Sequence, residues 1–170
     1  IDEFREIRRN PNHLEWAYFD ISRINFSNDI NQVLSEAELV ILAVPSPYVK
    51  DVLAEITVDM SQKKVISAVK GMIPGDNILV TDYMHQHFHV PEANLGMITG
   101  PCHAEEIALE RLSYLTIGCK DTANATEWKK LFDTPYVRTT PSNDMKGLEY
   151  ASVMKNIYAI AAGMCTSLRY

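Results

Sequence analysis

The chain has 170 residues, 46% hydrophobic and 22% charged, with a formal net charge of −6. That suffices for one ordinary core and excludes a basic nucleic-acid binder, since no basic stripe interleaved with aromatics runs along it. A phosphorylated ligand would therefore have to be held by a few placed cations rather than by the field of the whole surface.

In chain order, IDEFREIRRN reads as the charged end of a helix with no initiator methionine, as if from the middle of a longer protein. Arg23 to Phe26 predicts a short strand, and Ser27 or Asn28 the cap of a helix through Ala37. ELVILAV (Glu38 to Val44) is a continuous apolar run, the pattern of a strand covered on both faces, and it stops at Pro45-Ser46-Pro47 before a helix to about Ile56. KVISAV (Lys64 to Val69) predicts a second buried strand ending at Lys70-Gly71. ILVTDYMHQHF reads as helix, NLGMIT as a third strand ending at Gly100-Pro101, and HAEEIALER as helix. LSYLTIG, TANATEWKKLF and YVRTT continue the alternation as strand, helix and strand, and a long helix starts near Asp144.

Strands alternating with helices predict an α/β fold with a doubly wound parallel sheet. The sheet pattern ends near Pro141-Ser142, which sets the expected division into residues 1–141 and an all-helical unit from 142 to 170. In such sheets ligands bind at the carboxyl ends of the strands. Three of those ends carry distinctive residues: Val44-Pro45-Ser46, Val69-Lys70-Gly71, and Gly100 to Glu106, where a glycine and a proline precede a helix N-terminus suited to anions. Each alone is ordinary turn chemistry; their convergence on one edge is not.

The run from Tyr150 to Cys165, YASVMKNIYAIAAGMC, is apolar and small-residue-rich, and carries one full charge, Lys155. A helix of this composition is expected to be buried almost all round. Desolvation there would lower the lysine pKa toward the range of acid/base chemistry, whereas a lysine snorkelling to the helix edge would stay wet.

Together LVILAVPSPYVKDVL, VISAVKGM, ITGPCHAEEIALERLSYLTIG and GLEYASVMKNIYAIAAGMC resemble the NAD(P)-dependent glycerol-3-phosphate dehydrogenases, most closely the bacterial forms. The last segment is similar to the family's Lys-Asn helix, here Gly147, Glu149, Lys155, Asn156, Ala159, Ile160, Ala162 and Gly163. The resemblance implies a Rossmann-like doubly wound sheet lacking its first strands, followed by the first helix of an all-α substrate domain. It implies interconversion of sn-glycerol 3-phosphate and dihydroxyacetone phosphate with NAD or NADP, a step toward glycerophospholipid precursors. Lys155 matches the proton acceptor, Asn156 a substrate-orienting neighbour, and Lys70 a contact to both substrate and cofactor. Gly100 and Cys102 fall at substrate-contacting positions, and Pro45, Ser46 and Ala104 at cofactor-contacting ones. His13 stands where a tyrosine is common and is the candidate for the adenine side. A small phosphorylated three-carbon substrate is the implied partner, and a homodimer is an open expectation.

The chain departs from the resemblance in places. It has no G-x-G-x-x-[GA] turn after a first strand, and it ends before the downstream substrate residues, so a partial chain that neither binds dinucleotide tightly nor turns over alone is expected. ELVILAV should then be a bare apolar edge. Cys102 replaces a more usual Ser, Thr or Asn, and Thr166-Ser167 replaces an expected glycine. The residues that would distinguish NAD from NADP are not among these 170. Two other readings stand beside this one: another 3-hydroxyacid or 6-phosphogluconate type dehydrogenase, and a non-catalytic truncated domain that self-associates through its sheet edge.

Other signals carry less. Three cysteines, Cys102, Cys119 and Cys165, are odd in number and lack metal-ligand spacing, so a reducing cytoplasm is expected and a disulfide framework is not. His85, His87 and His89 alternate, but i and i+2 point to different helix faces and no metal site is expected. Glu105 and Glu106 suit the dipole of a first helical turn. Cys102-His103 makes a poor nucleophile pair, and Trp16 and Trp128 read as packing residues. These 170 residues show no n-region and h-region at their start and no apolar run long enough to cross a bilayer.

Overall fold

Strands lie side by side in chain order in a five-stranded sheet: β1 (Leu39–Leu42), β2 (Lys64–Ser67), β3 (Leu95–Thr99), β4 (Ser113–Cys119) and β5 (Val137–Ser142). The computed structural model describes residues 1–14 and 16–168; the end of the expected 142–170 unit, Arg169 and Tyr170, lies outside the described residues. Around the sheet run α1 (Asp2–Ile7), α2 (Ile30–Glu36), α3 (Ser46–Ala54), α4 (Val80–Phe88), α5 (Ala104–Ala108), α6 (Thr122–Phe132) and α7 (Met145–Ser167).

The faces of the sheet follow from strand alternation. Val65 joins Val40, Leu42, Leu95 and Met97 in one core, closed by Leu34 of α2, Val49 and Leu53 of α3, Val80 and Met84 of α4, and Met145 of α7. Its neighbour Ile66 points the other way, packing with Ile117, Cys119 and the Trp128 and Ala125 side chains of α6. β1 forms an open edge, and Ile41 is 47% exposed there.

Four expectations are corrected. β1, β2 and β3 are parallel, but β4 runs antiparallel to β3, with Thr99 opposite Thr116, and β5 is parallel to β4. The sheet is therefore mixed rather than wholly parallel. The connection from β3 to β4 holds only the five-residue α5, and it stays at the end where β3 stops instead of crossing the sheet. Residues 23–26 are not a strand: a 3-10 turn at Ile21–Arg23, capped by the Asp20 side chain, leads into extended chain held by Arg5 donating to the Phe26 carbonyl and by Phe4 against Phe19 and Phe26. The α2 cap is Asp29, which accepts from Asn31 and Gln32, while Ser27 accepts the Asp29 N–H one step earlier.

The fourth correction concerns α7. Among the described residues it buries only Met145, Glu149 and Ser152; Lys155, Asn156, Ile157, Tyr158, Ile160 and Met164 are exposed. A 23-residue helix is about 35 Å long, and a five-residue strand about 17 Å, so α7 outruns the sheet that covers its first turns.

Candidate active site

The parallel register of β1, β2 and β3 puts their carboxyl ends on one edge. Pro45 and Ser46 follow β1, Lys70 and Gly71 follow β2, and Gly100, Cys102 and Ala104 follow β3. At the first two, Ala43, Val44, Pro45, Ser46, Pro47, Ala68 and Lys70 line an open cleft of about 360 Å³. A Cβ on Gly71 would stand 2.4 Å from both Cβ and Oγ of Ser46, so only glycine lets the turn after β2 close against the first residue of α3. Pro45 is the N-cap of that helix and Pro47 its second residue, positions where a missing N–H costs nothing. Lys70 is exposed at the rim.

The loop after β3 is equally constrained. A side chain at Gly100 would fall 2.3 Å from the Tyr114 carbonyl of β4. From there the chain passes Cys102, half-buried, to Ala104, the exposed first residue of α5. His13 is exposed in a loop whose backbone N–H groups at residues 12 and 13 donate to the Asn10 side chain. The next residue, Leu14, lines a second cleft of about 570 Å³ with Trp16, Tyr18, Phe19, Ala104 and Tyr136. Trp16 is 50% exposed in that cleft, whereas Trp128 is buried in the packing of α6 against the sheet.

Because β4 and β5 are reversed, β5 ends at the opposite edge and α7 starts there, crossing β4 and β3 toward the carboxyl edge. Met145 and Leu148 pass over Gly118, which pairs with Met97 in mid-sheet. About one turn after Leu148, Ser152 Oγ lies 3.4 Å from the hydroxyl of Thr99, the last residue of β3. Lys155 and Asn156 are the i+3 and i+4 neighbours of Ser152, so they continue this face just past the end of β3. The edge thus carries Pro45, Ser46, Lys70, Gly100, Cys102 and Ala104, and α7 runs past the end of β3 with Lys155 and Asn156 exposed one turn beyond Ser152.

The buried charge of α7 is not Lys155 but Glu149, wholly buried. Thr81 in the first turn of α4 donates its N–H to Oε1 at 3.2 Å and its hydroxyl to Oε2 at 2.5 Å. Burial pushes the Glu149 carboxyl above the usual range, against the pull of the Thr81 hydrogen bonds. Lys146 pairs with Asp82 at 3.0 Å beside it. Sequence reasoning missed this contact, although its signal, a lone charge in an apolar helix, is the one that drew attention to Lys155. The histidines are accounted for locally: His85 Nδ1 lies 2.9 Å from the Val90 carbonyl and His87 stacks on Tyr83.

A mostly parallel sheet with helices on both faces and a crevice at its strand ends is the Rossmann-like class of dinucleotide-binding folds. The chain belongs to the NAD-dependent glycerol-3-phosphate dehydrogenase N-terminal family, whose model matches residues 1–125. It is 29% identical over 172 residues to glycerol-3-phosphate dehydrogenase [NAD(P)+] of Exiguobacterium sp., covering all of this chain and 50% of that one. With the enzyme of that name from Staphylococcus aureus it shares 27% identity over 173 residues, covering 52% of its length. Among solved structures, Plasmodium falciparum glycerol-3-phosphate dehydrogenase superposes with a TM-score of 0.87 at 29% identity, over 99% of this chain and 47% of that one. The Saccharomyces cerevisiae enzyme has the same fold, with a TM-score of 0.83 at 20% identity. The chain spans about half the length of the curated relatives it matches.

Proposed function

We propose that this chain forms the reaction edge of an NAD(P)-dependent glycerol-3-phosphate dehydrogenase, interconverting sn-glycerol 3-phosphate and dihydroxyacetone phosphate. The observation that carries this reading is the arrival of the Lys155–Asn156 turn of α7 past the carboxyl end of β3, on the edge where Lys70 stands. The dinucleotide suits the residues present: the 360 Å³ cleft has apolar walls at Ala43, Val44, Pro45 and Ala68, no acidic side chain, and one cation, Lys70. When bound, the nicotinamide supplies hydride exchange at the substrate's C2.

The chain's own groups handle orientation and the proton. Lys155 takes the C2 hydroxyl proton in oxidation and returns it in reduction, and Asn156 orients the substrate. Lys70 faces both substrate and cofactor as a positive point charge. Gly100 and Cys102 meet the substrate, chiefly through backbone. Pro45, Ser46 and Ala104 line the cofactor side, with His13 beyond them toward adenine. The division at residues 141 and 142, with β5 ending one residue past it at Ser142, belongs to the same reading. So do a place in glycerophospholipid precursor synthesis, a homodimeric state and a cytoplasmic location; the location is supported by three free thiols. Among the described residues no helix is long and apolar enough to cross a membrane.

The test is a substrate panel on an enzyme of the relatives' full length that carries this chain. NADH or NADPH consumption with dihydroxyacetone phosphate, and none with longer-chain 3-oxo acids, supports the reading. Turnover of the longer acids alone contradicts it.

A further inference from the structure

We propose that Glu149 is a positioning residue for Lys155 and Asn156: pinned by the first turn of α4, its carboxyl sets the rotation and height of α7 and so the place of the Lys-Asn turn. The proposal rests on the reading of Lys155 given above.

α7 is held at one end. Its three buried side chains, Met145, Glu149 and Ser152, lie in its first eight residues, and the turns that carry Lys155 and Asn156 are exposed. Whatever fixes the first turns therefore fixes the Lys-Asn turn through the stiffness of the helix. The three anchors are unequal. Met145 packs in the apolar core, and apolar burial is non-directional, tolerating rotation and sliding. Ser152 meets Thr99 at 3.4 Å, a long contact between two hydroxyls. Glu149 makes a two-point contact with one residue, the N–H and the hydroxyl of Thr81 meeting separate carboxyl oxygens. Two directional bonds to a rigid helix start define both a rotation and a height. Fixing register is the best-attested use of a polar group retained in a core.

The lever is short. Lys155 lies six residues beyond Glu149, about 9 Å along the axis. Misplacing a reacting group by about 1 Å can cost about 10²-fold in rate. Lys146 and Asp82, a pair at 3.0 Å on the same two helices with the lysine exposed and the aspartate half-buried, would not hold that tolerance alone.

The experiment is a double-mutant cycle on the full-length enzyme, reading kcat and the KM of each substrate for Glu149→Ala, Glu149→Gln, Lys155→Ala and the Glu149→Ala/Lys155→Ala pair. Glu149→Ala should lower kcat about 10²-fold with the dinucleotide KM changed less than about twofold. Glu149→Gln, which keeps an acceptor for the Thr81 N–H and a donor for its hydroxyl, should restore most of kcat. In the Lys155→Ala background, Glu149→Ala should cost about tenfold or less, because only the part of its effect that passes through Asn156 remains. Should Glu149→Ala fail to fold, Thr81→Val runs the same cycle with only the hydroxyl removed. Wild-type kcat in Glu149→Ala, no rescue by Gln, or equal losses in both backgrounds overturns the proposal. Wild-type turnover of Lys155→Ala overturns instead the reading on which it rests.

Discussion

Ser46 occupies the space that a side chain on Gly71 would need, its Cβ and Oγ each 2.4 Å from where such a Cβ would stand. That one approach ties the turn after β2 to the start of α3 and closes the cleft that Lys70 rims. Gly71→Ala must push α3 away or distort the turn, and overpacking of this kind costs about 1–3 kcal/mol. Urea unfolding of the chain should show the midpoint falling with an unchanged slope. An unchanged midpoint would mean the approach is looser than described.

Lys70 is exposed at the cleft rim and on this account is the cation that the cleft presents to substrate and cofactor. Lys70→Ala in the full-length enzyme should lower kcat/KM for dihydroxyacetone phosphate by about 10²–10³-fold, the scale for removing one electrostatic contact to developing charge. It should also raise the KM of the dinucleotide. A steady-state series with unchanged kcat/KM would remove Lys70 from the site.

Glu149 gives stability an unusual pH dependence. Its carboxyl titrates higher folded than unfolded because burial disfavours the charge. The native state then holds a proton that the unfolded chain has released, so this group's contribution falls as pH rises above the unfolded value of about 4.3 toward the raised folded value. Asp20, Asp59, Glu92 and Asp133 behave oppositely, since hydrogen bonds from Ser22, Ser61, Lys120 and Lys129 respectively depress their pKa and their contribution is lost as pH falls. Melting curves of wild type and Glu149→Gln from pH 4.5 to 8 should therefore converge at the acid end and separate at the alkaline end, with wild type the less stable. Parallel curves would contradict a buried, titrating carboxyl.

The open β1 edge and the apolar turns of α7 predict how the isolated chain behaves. Ile41 is 47% exposed, and Ile157, Ile160 and Met164 are 59%, 65% and 61% exposed. Unpaired, apolar edges associate. Sedimentation of the 170-residue polypeptide should show concentration-dependent association that Ile41→Lys reduces. Saturable micromolar NADH binding by the same polypeptide would contradict the expectation that it does not hold the dinucleotide tightly alone.

What was legible in the sequence was local. The alternation of β-branched and apolar segments with helices located all five strands, along with one at residues 23–26 that the structure lacks, and Pro45, Gly71 and Gly100 marked the ends where the cleft forms. Strand direction was not legible, because ELVILAV and LSYLTIG are similarly apolar and nothing in their composition records orientation; the reversal lies in a short α5 connection that stays at one edge. The burial of α7 was misjudged for a related reason. Its composition shows that it can be covered, while its length relative to β3 decides that its later turns are not. Glu149 was visible as part of the helix pattern, but its contact with Thr81 was not, because the two lie 68 residues apart, beyond any local pattern.

The central claim is that Lys155 moves the substrate proton at this edge, and the kcat of Lys155→Ala in the full-length enzyme tests it most directly. The account predicts a loss of at least about 10²-fold, the lower range for a positioned general base, with the dinucleotide KM nearly unchanged. Turnover within a few-fold of wild type would contradict it.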